Sequence, residues 1–271
     1  WYQRFRKRRG FSSRQHTSVG QKLPTGHQSM AWMALIKLRK ALSVTAEVFE
    51  ELGNMDQTSN QHEMRVETTL EKRDAKDARI NTGGEKKERF TLCLAVMMDG
   101  KKVPLRMIFK GTPGLSFGVQ EKSWCDEWDC TLWISESWKL RPNNGSVIKQ
   151  RPSILVLHDF KYHRDKDLIA DFKRKATTIV IFIPGGFTPL LQPLDRMLSK
   201  QMKRLMRGKY ATYTASAIVD PKIGKLKPPE RGAVSTRCKE SWAAITPERV
   251  KTCSKISGLA LALDNGEDPA W

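Results

Sequence analysis

A strand–helix–strand pattern over residues 153–184 constrains the fold of this chain more than any other feature of its sequence. The segments "SILVLHDF" (153–160) and "TTIVIFIP" (177–184) are short apolar runs, typical of strands buried on both faces. Between them, "RDKDLIADFKRKA" places Leu168, Phe172 and Ala176 at helical spacing. Two buried strands joined by a crossover helix predict a parallel pair inside a sheet that helices cover.

The remaining elements predict a larger mixed sheet around that unit. "FTLCLAVMM" (90–98) and "VPLRMIF" (103–109) are apolar runs joined by Asp99-Gly100, which indicates a hairpin. We predict helices within 30–51, over 122–140 and after Pro193, and a short strand that holds Asp56. The Pro-, Gly- and Lys-rich stretch 220–237 is predicted to be a linker. The fold class is therefore α/β, a mixed sheet flanked by helices.

Three aspartates lie where apolar elements end or helices begin, namely Asp56, Asp159 and Asp195. Working groups in open α/β sheets tend to lie at the carboxyl ends of strands, and several converging carboxylates can hold two Mg²⁺ ions that cleave a phosphodiester. Taken singly, each acid is explained as well by a turn, a strand end or a helix start. His158 precedes Asp159 and is predicted to point to the opposite face of its strand, outside the site.

Net charge favours a polyanionic partner. The chain carries a formal charge of +19, and Glu47 is its first acidic residue. Clustered cations predict nucleic-acid binding, and we assign contacts with DNA to the residues Arg4, Arg6, Lys7, Arg8, Arg9, His163, Arg196, Lys200, Lys203 and Arg207. The residues from Arg196 to Arg207 step by four, three and four, which predicts that they share one face of a helix. We expect neither a membrane span nor a small-molecule substrate, and the five cysteines fit a reducing compartment.

Several motifs occur in the order found in one family. "GNMDQT" (53–58), "LVLHDFKYH" (155–163) and "IPGGFTPLLQPLDRMLSKQMK" (183–203) resemble the first, second and third aspartate motifs of the pogo/Tigger-like transposases, relatives of centromere-binding protein B with a DDE-type catalytic domain. "FTLCLAVMMDGKKVPLRMIFKG" is similar to the hairpin of that family. "SWAAITPERVKTCSKISGLALALDNGED" is similar to its C-terminal end.

This resemblance implies a ribonuclease H-like fold in which Asp56, Asp159 and Asp195 form a catalytic triad that binds two Mg²⁺ or Mn²⁺ ions. It implies cleavage of DNA ends followed by strand transfer, and a nuclear protein. It also implies three parts. Residues 1–28 would be a remnant of a helix-turn-helix DNA-binding domain with a basic linker, 29–219 the catalytic domain, and 220–271 a linker with a helical tail.

The first aspartate motif departs from the family pattern, because Gln57 replaces a glutamate and "SNQHEM" replaces a proline and aromatic residues. Three readings remain open: an active metal-dependent enzyme, a transposase-derived protein that binds DNA without cutting it, and a non-functional fragment. Since the sequence begins with Trp1, we expect a fragment of a longer chain. Whether the protein forms a homodimer is also left open.

Overall fold

The architecture is one six-stranded mixed sheet with helices on both faces. The computed structural model describes residues 26–43, 51–64, 88–111, 118–120, 125–142, 144, 151–217, 226 and 228–260, together with Arg4, Arg8 and Arg9. The sheet order is β4-β3-β2-β1-β5-β6. The strands are β1 (Leu52–Gln61), β2 (Arg89–Met97), β3 (Arg106–Lys110), β4 (Gly118–Gln120), β5 (Ser153–His158) and β6 (Thr178–Ile183).

The predicted strand–helix–strand unit is confirmed. Strands β5 and β6 are parallel, with Ile154 opposite Ile179, and helix α3 (Lys166–Ala176) connects them. The helix begins where the Asp165 carboxylate accepts hydrogen bonds from two backbone amides of its first turn. Leu168, Phe172 and Ala176 are the buried residues of this helix, because their spacing places them on one face.

The other half of the sheet contains the strand that runs against the rest. Strand β2 is antiparallel to both β1 and β3, whereas β4 pairs in parallel with β3. Strand β1 pairs antiparallel with β2 and parallel with β5, so it connects the parallel strands β5 and β6 to this part of the sheet. Strands β2 and β3 form the predicted antiparallel pair. Their connection turns at Gly100, whose φ of 100° suits glycine.

Helices cover both faces of the sheet. The helices not yet named, with the single-turn segments between them, are α1 (His27–Ser43), α2 (Glu127–Glu136), 3₁₀ turns at Trp138–Leu140 and Lys161–Arg164, α4 (Thr188–Leu191), a π-helical turn at Leu194–Leu198, α5 (Ser199–Ser216), α6 (Arg231–Ala243) and α7 (Pro247–Ile256). Helices α5, α6 and α7 share one apolar core with β2, while α2 and α3 enclose a second core on the other face. No described helix is long and apolar enough to cross a bilayer.

The C-terminal helices belong to the main core. Helix α6 begins at Arg231 and buries Val234 and Cys238, so the prediction of a linker over 220–237 is wrong for 231–237. Lysine and glycine content suggested a linker there, but tertiary packing against α5 stabilises a helix. The predicted division of the chain at residues 28 and 219 stays a prediction.

Candidate active site

The candidate site lies where β1, β5 and the π-helical turn meet. Asp56 is in the middle of β1, opposite Leu94 of β2, and it is only 5 % exposed. On the other side β1 pairs with β5, and Asn54 lies opposite Val156. Since side chains alternate along a strand, Asp56 and His158 lie two residues further on and point to the same face.

Asn54 holds the π-helical turn against this part of the sheet. Its side-chain amide donates to the Val156 carbonyl at 3.0 Å, and its Oδ1 accepts from the Leu194 backbone amide at 3.4 Å. Asn54 is fully buried. The first residue of the turn is thereby fixed over β1, and Asp195, the next residue, comes into contact with Asp56.

The two carboxylates of Asp56 and Asp195 form a close like-charge pair. Burial raises the pKa of Asp56 well above its usual value, and the neighbouring Asp195 raises it further. Burial also raises the pKa of Asp195, while its hydrogen bond with Asp56 and the Lys203 ammonium act against that shift. Both carboxyl groups therefore bind a proton more tightly than an isolated aspartate does, as expected for carboxylates brought close together.

A buried glutamine completes this corner. Gln192 is fully buried and its amide acts on Asp56, where it lowers the pKa. Among the described residues neither its Nε2 nor its Oε1 has a well-formed hydrogen bond. Gln192 is the first residue of the Gln-Pro-Leu-Asp motif and Asp195 is the last. Both side chains face Asp56, which gives the motif a structural role.

His158, which the sequence analysis placed outside the site, is the β5 residue that faces Asp56. Its Nδ1 lies 3.4 Å from Asp56 Oδ1. Burial lowers the pKa of His158, against the opposing effect of Asp159, so the imidazole is uncharged at neutral pH. The prediction that His158 lies outside the site is wrong, because the register of β1 against β5 brings its side chain to the face of Asp56.

The structure does not bring Asp159 together with Asp56 and Asp195. Asp159 follows the end of β5 and its carboxylate forms a bidentate pair with Arg164, including a 2.9 Å bond from Nη2 to Oδ2. This pairing lowers the pKa of Asp159. Its carboxylate is engaged at the surface by the 3₁₀ turn that follows, whereas the other two aspartates converge.

The sequence analysis predicted that His163 contacts DNA. In the structure His163 does not occupy a position from which it can reach a phosphate. It is 2 % exposed, its Nε2 lies 3.1 Å from Gln57 Nε2, and its Nδ1 lies 3.3 Å from the His158 carbonyl oxygen. Both ring nitrogens are engaged inside the protein. His163 and Gln57 therefore support the backbone behind His158.

The side chains present do not fit a pair of Mg²⁺ ions. Within the described residues no group of three or more His, Cys, Asp or Glu side chains is arranged to hold a metal ion. Mg²⁺ takes oxygen ligands, and two ions need several carboxylates at one point. Here only the carboxylates of Asp56 and Asp195 converge among the described residues. Another side chain beside Asp56 is the imidazole of His158, which offers a nitrogen instead of an oxygen.

The predicted basic residues of α5 divide between two depressions. Lys203 and Arg207 line a cavity of about 460 Å³ together with Arg89 and the end of β1; we call it the β1 trough. Arg196 and Lys200 line a different cavity. Side chains spaced by four, three and four residues stay within about 60° of one another around an α-helix, so the predicted shared face stays a prediction, but the four cations do not line one depression. Arg4, Arg8 and Arg9 are exposed; Arg6 and Lys7 lie outside the described residues.

Comparison with known proteins identifies the class of this arrangement. Residues 86–253, more than half of the chain, match the family described as "DDE superfamily endonuclease". The chain therefore belongs to the DDE superfamily endonuclease family. It is similar to human "Pogo transposable element with KRAB domain", with 26 % identity over 283 residues that cover 100 % of this chain and 45 % of that protein.

The mouse protein of the same description is 26 % identical over 230 residues, covering 82 % of this chain and 37 % of that one. The chain thus spans less than half the length of these relatives. In structure it is similar to the Mos1 mariner paired-end complex with Mn, with a TM-score of 0.57, 11 % identity and coverage of 95 % and 68 % of the two chains. The Mos1 transposase catalytic domain gives a TM-score of 0.50 at 11 % identity, covering 89 % and 98 %. These likenesses confirm the predicted ribonuclease H-like fold.

Proposed function

We propose that this chain is a transposase-derived domain that binds duplex DNA and does not cleave it. The observation that carries this proposal is the occupant of the β5 position facing Asp56. That occupant is His158, an uncharged imidazole, while the nearest acid along the strand is held by Arg164. Two-metal phosphodiester chemistry requires carboxylates that converge on one point, and two carboxylates are too few to build such a centre.

The β1 trough is the surface that supports DNA binding. Its lining combines the cations Arg89, Lys203 and Arg207 with polar and apolar groups from the end of β1, and none of its described lining residues is acidic. The other lining residues are Ser59, Asn60, Gln61 and Met64. Cations and side-chain amides are the groups that contact phosphate oxygens. The trough begins beside Asp56, because both lie on β1 and Lys203 acts on the Asp56 and Asp195 carboxylates.

The net charge of +19 strengthens this surface. Long-range attraction of this sign raises the local concentration of DNA and gives binding that does not depend on base sequence. A nuclear location follows from a duplex DNA partner and is part of the same proposal.

A second candidate function is metal-dependent DNA cleavage with strand transfer. The convergence of Asp56 with Asp195 favours it, because a carboxylate pair of this kind costs stability. This second function would require Mg²⁺ or Mn²⁺ as a cofactor. The two functions differ in one respect that an assay can see: binding alone does not depend on the carboxylates.

Fluorescence anisotropy with a labelled duplex tests the proposed function. We expect binding at low salt, with log affinity falling linearly as log salt concentration rises. The double variant Arg89→Ala/Arg207→Ala should reduce that slope by about 1.8, since each phosphate contact contributes about 0.9. The variant Lys166→Ala/Lys173→Ala removes two exposed cations of α3 and should leave the slope unchanged.

Replacing Asp56 by Asn should not weaken binding, because the carboxylate would repel a phosphate rather than hold it. A wild-type protein that retains no duplex at low salt would contradict the proposed function. An equal loss of slope in both double variants would show that net charge, rather than the trough, is responsible.

A further inference from the structure

A second basic depression lies beside the β1 trough on α5, between that helix and α7. It has a volume of about 670 Å³ and is lined by Arg196, Met197, Lys200, Gln201, Arg204, Thr246 and Arg249. We call it the α5–α7 cleft. It shares no lining residue with the β1 trough, so the two depressions are separate features of the same helix.

The cations of the cleft form a row. Lys200 and Arg204 are four residues apart on α5, which separates them by about 6 Å along the helix axis, and Arg196 precedes them by the same interval. Arg249 faces this row from α7. Within the described part of the chain, no acidic residue lines the cleft and neither Lys200 nor Arg204 forms an ion pair.

Two of the four cations are held in place by the protein. The Arg196 Nη1 donates to the Leu190 carbonyl oxygen at 3.0 Å, and the Arg249 Nε donates to Gln201 Oε1 at 3.3 Å. A guanidinium has five N–H donors, so the bond from Nε leaves the Nη groups of Arg249 able to contact a ligand. Fixing the side chain beforehand reduces the entropy that binding must remove.

We propose that the α5–α7 cleft binds the phosphodiester backbone of duplex DNA, so that α5 contacts nucleic acid at two neighbouring depressions. This rests on the proposed function, since it names a second surface for the same partner. The described residues that line the cleft include four cations and no aromatic ring. A surface for single strands needs aromatic side chains on which bases stack, whereas a duplex backbone needs donors and cations alone.

The position of the cleft supports the same partner. Its first cation, Arg196, directly follows Asp195, which contacts Asp56 at the head of the β1 trough. The cleft and the trough therefore both start from the candidate active site and extend along α5. A duplex held in the trough would leave the cleft accessible to a further stretch of backbone.

The test uses the salt dependence of duplex affinity in Lys200→Ala/Arg204→Ala. Both side chains are exposed and make no described ion pair, so the variant should fold normally, which circular dichroism and the melting temperature can check. We expect the slope of log affinity against log salt to fall by about 1.8. The Lys166→Ala/Lys173→Ala protein is the charge-matched control and should behave as wild type.

Combining Lys200→Ala/Arg204→Ala with Arg89→Ala/Arg207→Ala should reduce the slope by about 3.6, because the two surfaces contribute separately. A wild-type slope in Lys200→Ala/Arg204→Ala, with the trough variant still impaired, would overturn this inference and leave the proposed function standing. A wild-type protein that does not bind duplex at all would overturn both. If the cleft variant loses affinity for tripolyphosphate but keeps the duplex slope, the cleft is a small-anion site and the inference is wrong.

Discussion

Replacing Asp56 by Asn should stabilise the protein at neutral pH. Asp56 is 5 % exposed and lies against Asp195, and both effects raise its pKa above the usual value. Between the pKa of the unfolded chain, about 3.9, and the raised pKa of the folded protein, the folded state binds more protons. Stability therefore falls as pH rises through that interval, and Asn removes this loss without changing side-chain size.

Each tenfold increase in the proton affinity of Asp56 on folding corresponds to about 1.4 kcal/mol. For a buried carboxylate opposed by a second one we expect a gain of about 1–2 kcal/mol at pH 7, or roughly 2–8 °C in melting temperature for a protein of this size. At pH 4 the gain should largely disappear, because both proteins then carry an uncharged side chain at this position.

Urea denaturation followed by tryptophan fluorescence between pH 4 and pH 8 measures both quantities. Asp171→Asn is the control, since the pKa of Asp171 is lowered by Lys175 and Arg174. Its stabilising contribution is present above the unfolded pKa and is lost on acidification, so that variant should gain nothing at pH 7. A destabilised Asp56→Asn protein, or a gain that does not change with pH, would refute the account of the carboxylate pair.

Three further changes test how the site is built. Gly53→Ala should cost about 1–3 kcal/mol in urea denaturation, since a Cβ there would lie 2.5 Å from a buried indole ring; an unchanged midpoint would contradict the packing. Asn54→Leu should cost a similar amount and release the turn at Leu194, so protection of the Leu194 amide against hydrogen exchange should fall. His158→Asp adds a third carboxylate facing Asp56 and should raise Mn²⁺ affinity in calorimetry, whereas His158→Ala should not; equal affinities would show that this position does not limit metal binding.

The sequence predicted those parts of the fold that depend on local periodicity. Leu168, Phe172 and Ala176 on one helical face, and the apolar runs on each side, specify the strand–helix–strand unit without reference to distant residues. The contact between Asp56 and Asp195 was implied by the family motifs. Its structural basis is the two hydrogen bonds of buried Asn54, which join residues 102 and 140 positions apart and have no local signal in the sequence.

The choice between His158 and Asp159 could not be made from the sequence. Alternation along β5 shows that the two side chains point to opposite faces, but which of them faces Asp56 depends on the register between β1 and β5. Register is a long-range property, and a shift of one residue exchanges the two faces. The resemblance to the family motif predicted that Asp159 is the site residue, whereas the pairing of β1 with β5 places His158 against Asp56.

Nicking of supercoiled plasmid by the purified wild-type protein, in Mg²⁺ and in Mn²⁺, tests the central claim most directly. Because two carboxylates and an uncharged imidazole surround the position that a metal pair would need, we predict no nicking above the level of Asp56→Ala, under conditions in which both proteins bind the plasmid. Metal-dependent nicking by the wild type that Asp56→Ala abolishes would contradict the claim that this site has lost its catalytic centre.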